Sequence, residues 1–219
     1  MAKHKELKSD KFIDTVGTVA KFVIKEKQKA FWVGLGLLVV VVVMIYFSSQ
    51  RKGESPQANL MHLEGMSMLQ SGQVQQAESR FADIVRQFPG TNPGRQSIYY
   101  LGYICYMTKR YDEAIQHFQR FLSKTKKEFI LASSAEMGVA GCKEGLKDYR
   151  GALEGYERIL KNYPKSPLSL QAKLGAGRVK GALGDYEGAK QYLEQVIADK
   201  TAGAVAEEAK FYLGYLAPK

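Results

Sequence analysis

Cysteine, histidine and tryptophan are scarce in these 219 residues, at two, three and one. Two cysteines are too few for a disulfide-stapled scaffold. Cys105 and Cys142 stand in apolar contexts, LGYICYM and VAGCKEG, where buried free thiols are favoured over a bridge. His4, His62 and His117 are far apart and follow no metal-ligand spacing. There is no Walker A loop and no G-x-S-x-G elbow. The G-x-G within LGAGRVKGALG falls in the middle of an expected helix rather than at a strand-to-helix turn. No catalytic, cofactor-binding or metal-binding residue is therefore assigned, and no enzyme is expected. No cysteine precedes Cys105, so an outer-membrane assembly lipoprotein, which needs an acylated cysteine just after a short signal, is not the expectation. The formal net charge of +10 is not gathered into a dense basic stripe, so nucleic acid is not an expected partner.

What is present begins with a long apolar run, Ala30 to Phe47 (AFWVGLGLLVVVVVMIYF), without a charge. As a helix it would extend about 27 Å, near the roughly 30 Å of a hydrocarbon core. No A-x-A-like cleavage site follows it, and it has no polar face. Trp32 and Tyr46 fall near its ends, as interfacial aromatics do. The expectation is a single transmembrane helix over 30–47. Residues 1–29 hold eight lysines against four acids, which by the positive-inside rule puts the N-terminus in the cytoplasm and the rest across a bacterial-type inner membrane, in the periplasm. Within that tail Phe12, Val16, Val19 and Val23 share one helical face, an amphipathic basic helix suited to lipid headgroups or a membrane partner. Residues 48–57 read as a linker and 58–219 as the folded domain.

The domain carries a period. Small residues recur at Ala77, Ala114, Ala152 and Ala189, and a second series runs Gly65, Gly102, Ala140, Gly177 and Gly214. Both repeat every 37 or 38 residues. Small side chains let paired helices approach closely. Their bulky partners are Phe81, Phe118, Tyr156 and Leu193, followed by Ile84, Phe121, Ile159 and Val196. Apolar residues at i, i+3, i+4 and i+7 make these segments amphipathic helices. Turns fall at Ser71-Gly72, Lys109-Arg110, Lys147-Asp148 and Gly184-Asp185, and Pro89 and Pro164 close helices.

With LGYICYM and YDEAIQHFQRFL, and with Tyr111, Tyr149 and Tyr186 three residues before their alanines, residues 58–216 resemble the tetratricopeptide repeat. The period is longer than that family's usual one, which enlarges the loops between hairpins, notably near KTKKEF. The resemblance implies an all-α helical solenoid of four hairpins with a C-terminal capping helix at 204–216. It also implies a protein-binding groove lined by the first helices of the hairpins. Mapped onto this sequence, that groove takes His62, Met66 and Leu69, then Tyr99, Tyr103, Tyr106 and Met107, then Met137, Leu174 and Arg178, and finally Phe211 and Tyr215. Family members that clamp a terminal carboxylate carry Lys, Arg and Asn there; this sequence has Tyr and Met, which suit apolar polypeptide segments.

The tail, span and repeat domain together resemble the ancillary Sec-translocon subunits associated with SecYEG. That resemblance implies a scaffold or chaperone-like role, with translocon subunits and client polypeptides as partners and no cofactor. The alternative is an accessory or assembly subunit of another membrane protein complex.

Overall fold

The computed structural model describes residues 27–51, 55–125 and 129–216. The chain divides into two units, residues 1–53 and 54–219. The described part of the first is one helix, α1 (Lys27–Arg51). Its Phe31 and Trp32 are both exposed and meet edge to face, with ring centroids 5.8 Å apart. The basic segment of residues 1–26 lies outside the described residues, as do the side chains of Tyr46 and its neighbours.

Among the described residues no helix is long and apolar enough to cross a membrane. The expectation of a transmembrane helix over 30–47, and with it a single-pass inner-membrane location with a periplasmic domain, is corrected accordingly.

The second unit is built from nine described helices: α2 (Pro56–Gln70), α3 (Val74–Gln87), α4 (Asn92–Met107), α5 (Tyr111–Lys124), α6 (Phe129–Gly145), α7 (Tyr149–Asn162), α8 (Ser169–Ala182), α9 (Tyr186–Ile197) and α10 (Ala204–Leu216). Each packs on the next. In addition α2, α4, α6, α8 and α10 touch one another in sequence, whereas α3, α5, α7 and α9 do not. The stack therefore curves, with the first helix of every hairpin on the inner wall and the second outside.

The turn inside every hairpin has the same construction. Gly72, Lys109, Lys147 and Gly184 all take positive φ, at 75°, 60°, 64° and 83°. In each turn the next residue's N–H reaches back five residues, as Arg110 does to the Cys105 carbonyl at 2.8 Å. The left-handed residue itself bonds three back, as Lys109 does to Tyr106 at 3.0 Å. This pair of bonds is the Schellman closure, which satisfies the last carbonyls of the inner helix. The second helices α7 and α9 are then capped by Asp148 and Asp185, which accept from Gly151 at 3.0 Å and Gly188 at 2.9 Å.

The bulky residues of the outer helices fill the space that the small ones leave. A Cβ at Gly65 would stand 2.9 Å from Phe81, one at Gly102 2.9 Å from Phe118, and one at Gly177 2.9 Å from Leu193. Each plug is also gripped by the following inner helix. A Cβ at Gly138 would come within 2.4 Å of Phe118, and one at Gly175 within 2.5 Å of Tyr156, while Tyr100 stacks on Phe81 at 5.1 Å. The core consequently runs along the stack through Phe81, Phe118 and Phe121, then Tyr156 and Ile159, then Leu193 and Val196.

Candidate functional site

The distribution of exposed apolar side chains separates the two faces of the stack. Within residues 55–216 the large exposed ones are Leu60 and Leu63 on α2, Tyr103, Tyr106 and Met107 on α4, Phe129 and Ile130 on α6, and Phe211 and Tyr215 on α10. Leu146 and Leu183 sit in turns, and Tyr186 opens α9. The outer helices α3, α5 and α7 contribute none among the described residues.

Relative to the recurring small residue of each inner helix, the residues assigned to the groove from sequence fall either three positions before it or one to five positions after it. Three positions before it stand His62, Tyr99, Met137, Leu174 and Phe211. The first four of these pack against the outer helix of their own hairpin or the adjoining core. The His62 ring lies 5.5 Å from Phe81 and 5.3 Å from Tyr100, and its Nδ1 is 3.3 Å from Ser97 Oγ; burial lowers its pKa. Tyr99 is 5.7 Å from both Phe118 and Phe121. Met137 joins the Tyr156 cluster, and Leu174 is buried beside Leu193. Phe211 stands 68% exposed.

One position after the small residue stand Met66, Tyr103, Gly141, Arg178 and Tyr215, and four after it Leu69, Tyr106, Glu144 and Gly181. Here the structure brings side chains of successive inner helices together. Tyr106 of α4 lies over Gly141 of α6, where a Cβ would be 3.2 Å from its ring. Glu144 of α6 meets Arg178 of α8 in the same way. Tyr103, Tyr106 and Met107 form an open apolar patch at the α4 end of this wall.

The α8 end is polar. Arg178 donates from Nε to Glu144 Oε1 at 3.0 Å, from Nη2 to Glu144 Oε2 at 2.9 Å and from Nη1 to Glu208 Oε1 at 3.3 Å. The Tyr156 hydroxyl donates to Glu144 Oε2 at 2.6 Å, and the Arg178 guanidinium lies 5.5 Å from the Tyr212 ring centre. Burial works against the Arg178 charge, but the paired carboxylate outweighs it and holds the pKa above the usual value. Burial first, and then Glu144, pushes the Tyr156 hydroxyl far up. An open pocket of about 340 Å³ adjoins this network, lined in part by Arg178, Tyr186, Tyr212 and Tyr215. Arg178 was singled out from sequence. Glu144, Tyr156 and Glu208 were not, because their bonds span 34, 12 and 30 residues between helices, and the sole signal was an arginine in a column otherwise apolar or small.

Cys105 and Cys142 are both free and buried. Burial raises both thiols, Cys142 to about 12. Among the described residues no group of three His, Cys, Asp or Glu side chains is placed to hold a metal ion.

Comparison with known proteins agrees with the architecture. Two family models, each described as "Tetratricopeptide repeat", match residues 62–128 and residues 131–166 and 171–199, together more than half of the chain. No curated protein matches. Among solved structures, the apo form of RapI is similar with a TM-score of 0.67 at 17% identity, over 73% of this chain and 62% of RapI, so the chain spans less than two thirds of that protein. Kinesin light chain TPR-like repeats from Podosopora anserina align at 0.60 and 18% identity, over 74% of this chain and 87% of theirs. A tetratricopeptide repeat protein from Parabacteroides merdae aligns at 0.58 and 18%, over 74% and 66%. At these identities the likeness is one of fold. Nothing in the matches points to the ancillary translocon subunits. The chain belongs with the tetratricopeptide-repeat proteins, whose fold is an interaction scaffold.

Proposed function

We propose that this tetratricopeptide-repeat protein holds an apolar segment of a partner polypeptide along its inner wall, as a scaffold or chaperone-like binder. The supporting observation is the cluster of exposed Tyr103, Tyr106 and Met107 on one face of the inner helix α4, while among the described residues α3, α5 and α7 expose no large apolar side chain. A contiguous apolar patch rimmed by polar residues is the usual mark of an interaction surface. Tyr103, Tyr106 and Met107 supply apolar contact, and Met66, which holds in α2 the repeat position of Tyr103, is half-buried against the core. Tyrosine offers a large amphipathic area and methionine adapts its shape, so the patch reads bulk rather than a fixed sequence. Arg178, Glu144 and Tyr215 supply polar contact further along.

The occupant we favour is extended or unfolded polypeptide. Assembly into another protein complex through the same wall is the alternative role. The translocon reading rested on a span joined to the repeat domain and is not carried forward without it. Binding of a fluorescent, reduced and carboxymethylated protein, followed by anisotropy, tests the proposal. Replacing Tyr103 and Met107 together by Ala is expected to weaken binding about tenfold or more while the helical melt is retained. Unchanged affinity in a folded double variant contradicts it.

A further inference from the structure

Along the inner wall the contact between successive helices is made twice and then left open. Four residues after the small position, α4 carries Tyr106, α6 carries Glu144 and α8 carries Gly181. Tyr106 fills the space over Gly141, and Glu144 binds Arg178. The third pair in the repeat is Gly181 and Tyr215, and both line the pocket of about 340 Å³. Gly181 has no side chain, and Tyr215 is 84% exposed, turned to solvent rather than across the gap. The plug beneath is smaller as well. Gly65 and Gly102 receive Phe81 and Phe118, whereas Gly177 receives Leu193. Space that an aromatic ring takes in the earlier hairpins is thus open here, between walls supplied by α8, α9 and α10.

The lining says what fits. Tyr186, Tyr212 and Tyr215 offer ring faces and edges, and Leu193 lies at the base. Arg178, the one charged side chain of the lining, is already committed. Both Glu144 oxygens and Glu208 Oε1 accept from it, so an anionic ligand would have to displace carboxylates that the fold supplies. An uncharged ring displaces nothing and gains edge-to-face or offset contact with the tyrosines. We infer that this pocket is the specificity site of the inner wall and takes an aromatic side chain, phenylalanine or tyrosine, of the bound polypeptide. The inference rests on the proposed binding of polypeptide along that wall and adds which residue the wall selects. The α4 patch accepts apolar bulk of any shape; the α8–α10 pocket anchors a ring.

The probe is N-acetyl-phenylalaninamide, titrated into the full chain and followed by saturation-transfer NMR beside N-acetyl-leucinamide and N-acetyl-alaninamide. Transfer to the ring protons is expected, with affinity lower by about threefold or more for the leucine amide and lower again for the alanine amide. Gly181→Tyr gives α8 the side chain that α4 carries at Tyr106, and should abolish the transfer. Its Cβ would meet the far end of the flexible Leu216 side chain at 3.0 Å, and a melt checks that the variant is folded. Tyr215→Ala, at an exposed position, should weaken the transfer by about threefold or more and decides the matter if Gly181→Tyr does not fold. No transfer, no preference for the ring, or transfer unchanged in folded Gly181→Tyr or in Tyr215→Ala overturns the inference. In the anisotropy assay with unfolded polypeptide, Gly181→Tyr should weaken binding about tenfold. Loss there without loss on replacing Tyr103 and Met107 removes the α4 patch and keeps the pocket. The reverse removes the pocket alone.

Discussion

Arg178 of α8 grips Glu144 of α6 with two hydrogen bonds, 3.0 and 2.9 Å long, across a sequence separation of 34 residues. Tyr106 over Gly141 is the same relation one hairpin earlier. The inner wall is thus stitched diagonally, from α4 to α6 by apolar contact and from α6 to α8 by charge. Both side chains of the pair are about three-quarters buried, at 26% and 23% exposure. Removing one partner leaves the other short of hydrogen bonds in a partly desolvated place. Arg178→Met and Glu144→Gln should each cost about 1–3 kcal/mol in urea unfolding. The double variant should cost less than their sum, and additivity would show that the pair is not coupled.

Gly102 and Gly214 occupy the same place in the repeat and should respond oppositely to alanine. At Gly102 the new methyl would press on Phe118, so Gly102→Ala is expected to destabilise by about 1–3 kcal/mol through overpacking. At Gly214 it meets nothing, and the gain in helix propensity should stabilise by up to about 1 kcal/mol. Thermal melts of the two variants decide the point.

Two of the four hairpin turns place lysine where the backbone is left-handed. Lys109 and Lys147 have φ of 60° and 64°, and the equivalent residues in the other turns are Gly72 and Gly184. A side chain in this region costs about 1 kcal/mol or slightly more. Lys109→Gly and Lys147→Gly should therefore each raise stability by a fraction of a kcal/mol to about 1 kcal/mol, part of the relief being lost to unfolded-state entropy. The reverse change, Gly72→Ala, should lower it. The midpoint of chemical denaturation, at unchanged slope, is the measurement.

Alkaline stability follows from the buried thiols. Cys142 is pushed up to about 12 from the ordinary 9.0, chiefly by burial. Between those values the native thiol keeps its proton while the unfolded one has lost it, so stability falls as pH rises, by at most about 1.4 kcal/mol per pH unit. Tyr156, raised by burial and Glu144, adds a loss of the same sign above its ordinary value of 10.0. Urea midpoints measured from pH 8 to 11 should decline, and Cys142→Ala should flatten the decline near pH 9–10. For the same reason neither cysteine should react with a thiol reagent before the chain unfolds.

The stack was legible in the sequence because glycine and alanine at a fixed period have one structural use, close helix approach. Gly138 and Gly175 passed unread, since in that column the first two hairpins place Leu63 and Tyr100, and no single residue type marks it. The inner wall was only half legible. Residues three before and one after the small position lie four apart, hence about 40° apart on the helix, too close for periodicity to separate. What sends Tyr99 to the core and leaves Tyr103 open is the pair Phe118 and Phe121 arriving from another helix. The apolar run of α1 shows the limit of local pattern: an uncharged stretch with aromatics at its ends led to the expectation of a span over Ala30 to Phe47, and among the described residues no helix is long and apolar enough to cross a membrane.

A photoreactive phenylalanine analogue tests the binding face most directly, placed in turn at Tyr103 on the inner wall and at Gln119, exposed on the outer helix α5. Illumination with a bound unfolded polypeptide should yield a crosslinked product from position 103 and none from position 119. Equal products from both, or product from position 119 alone, would contradict the inner wall as the site.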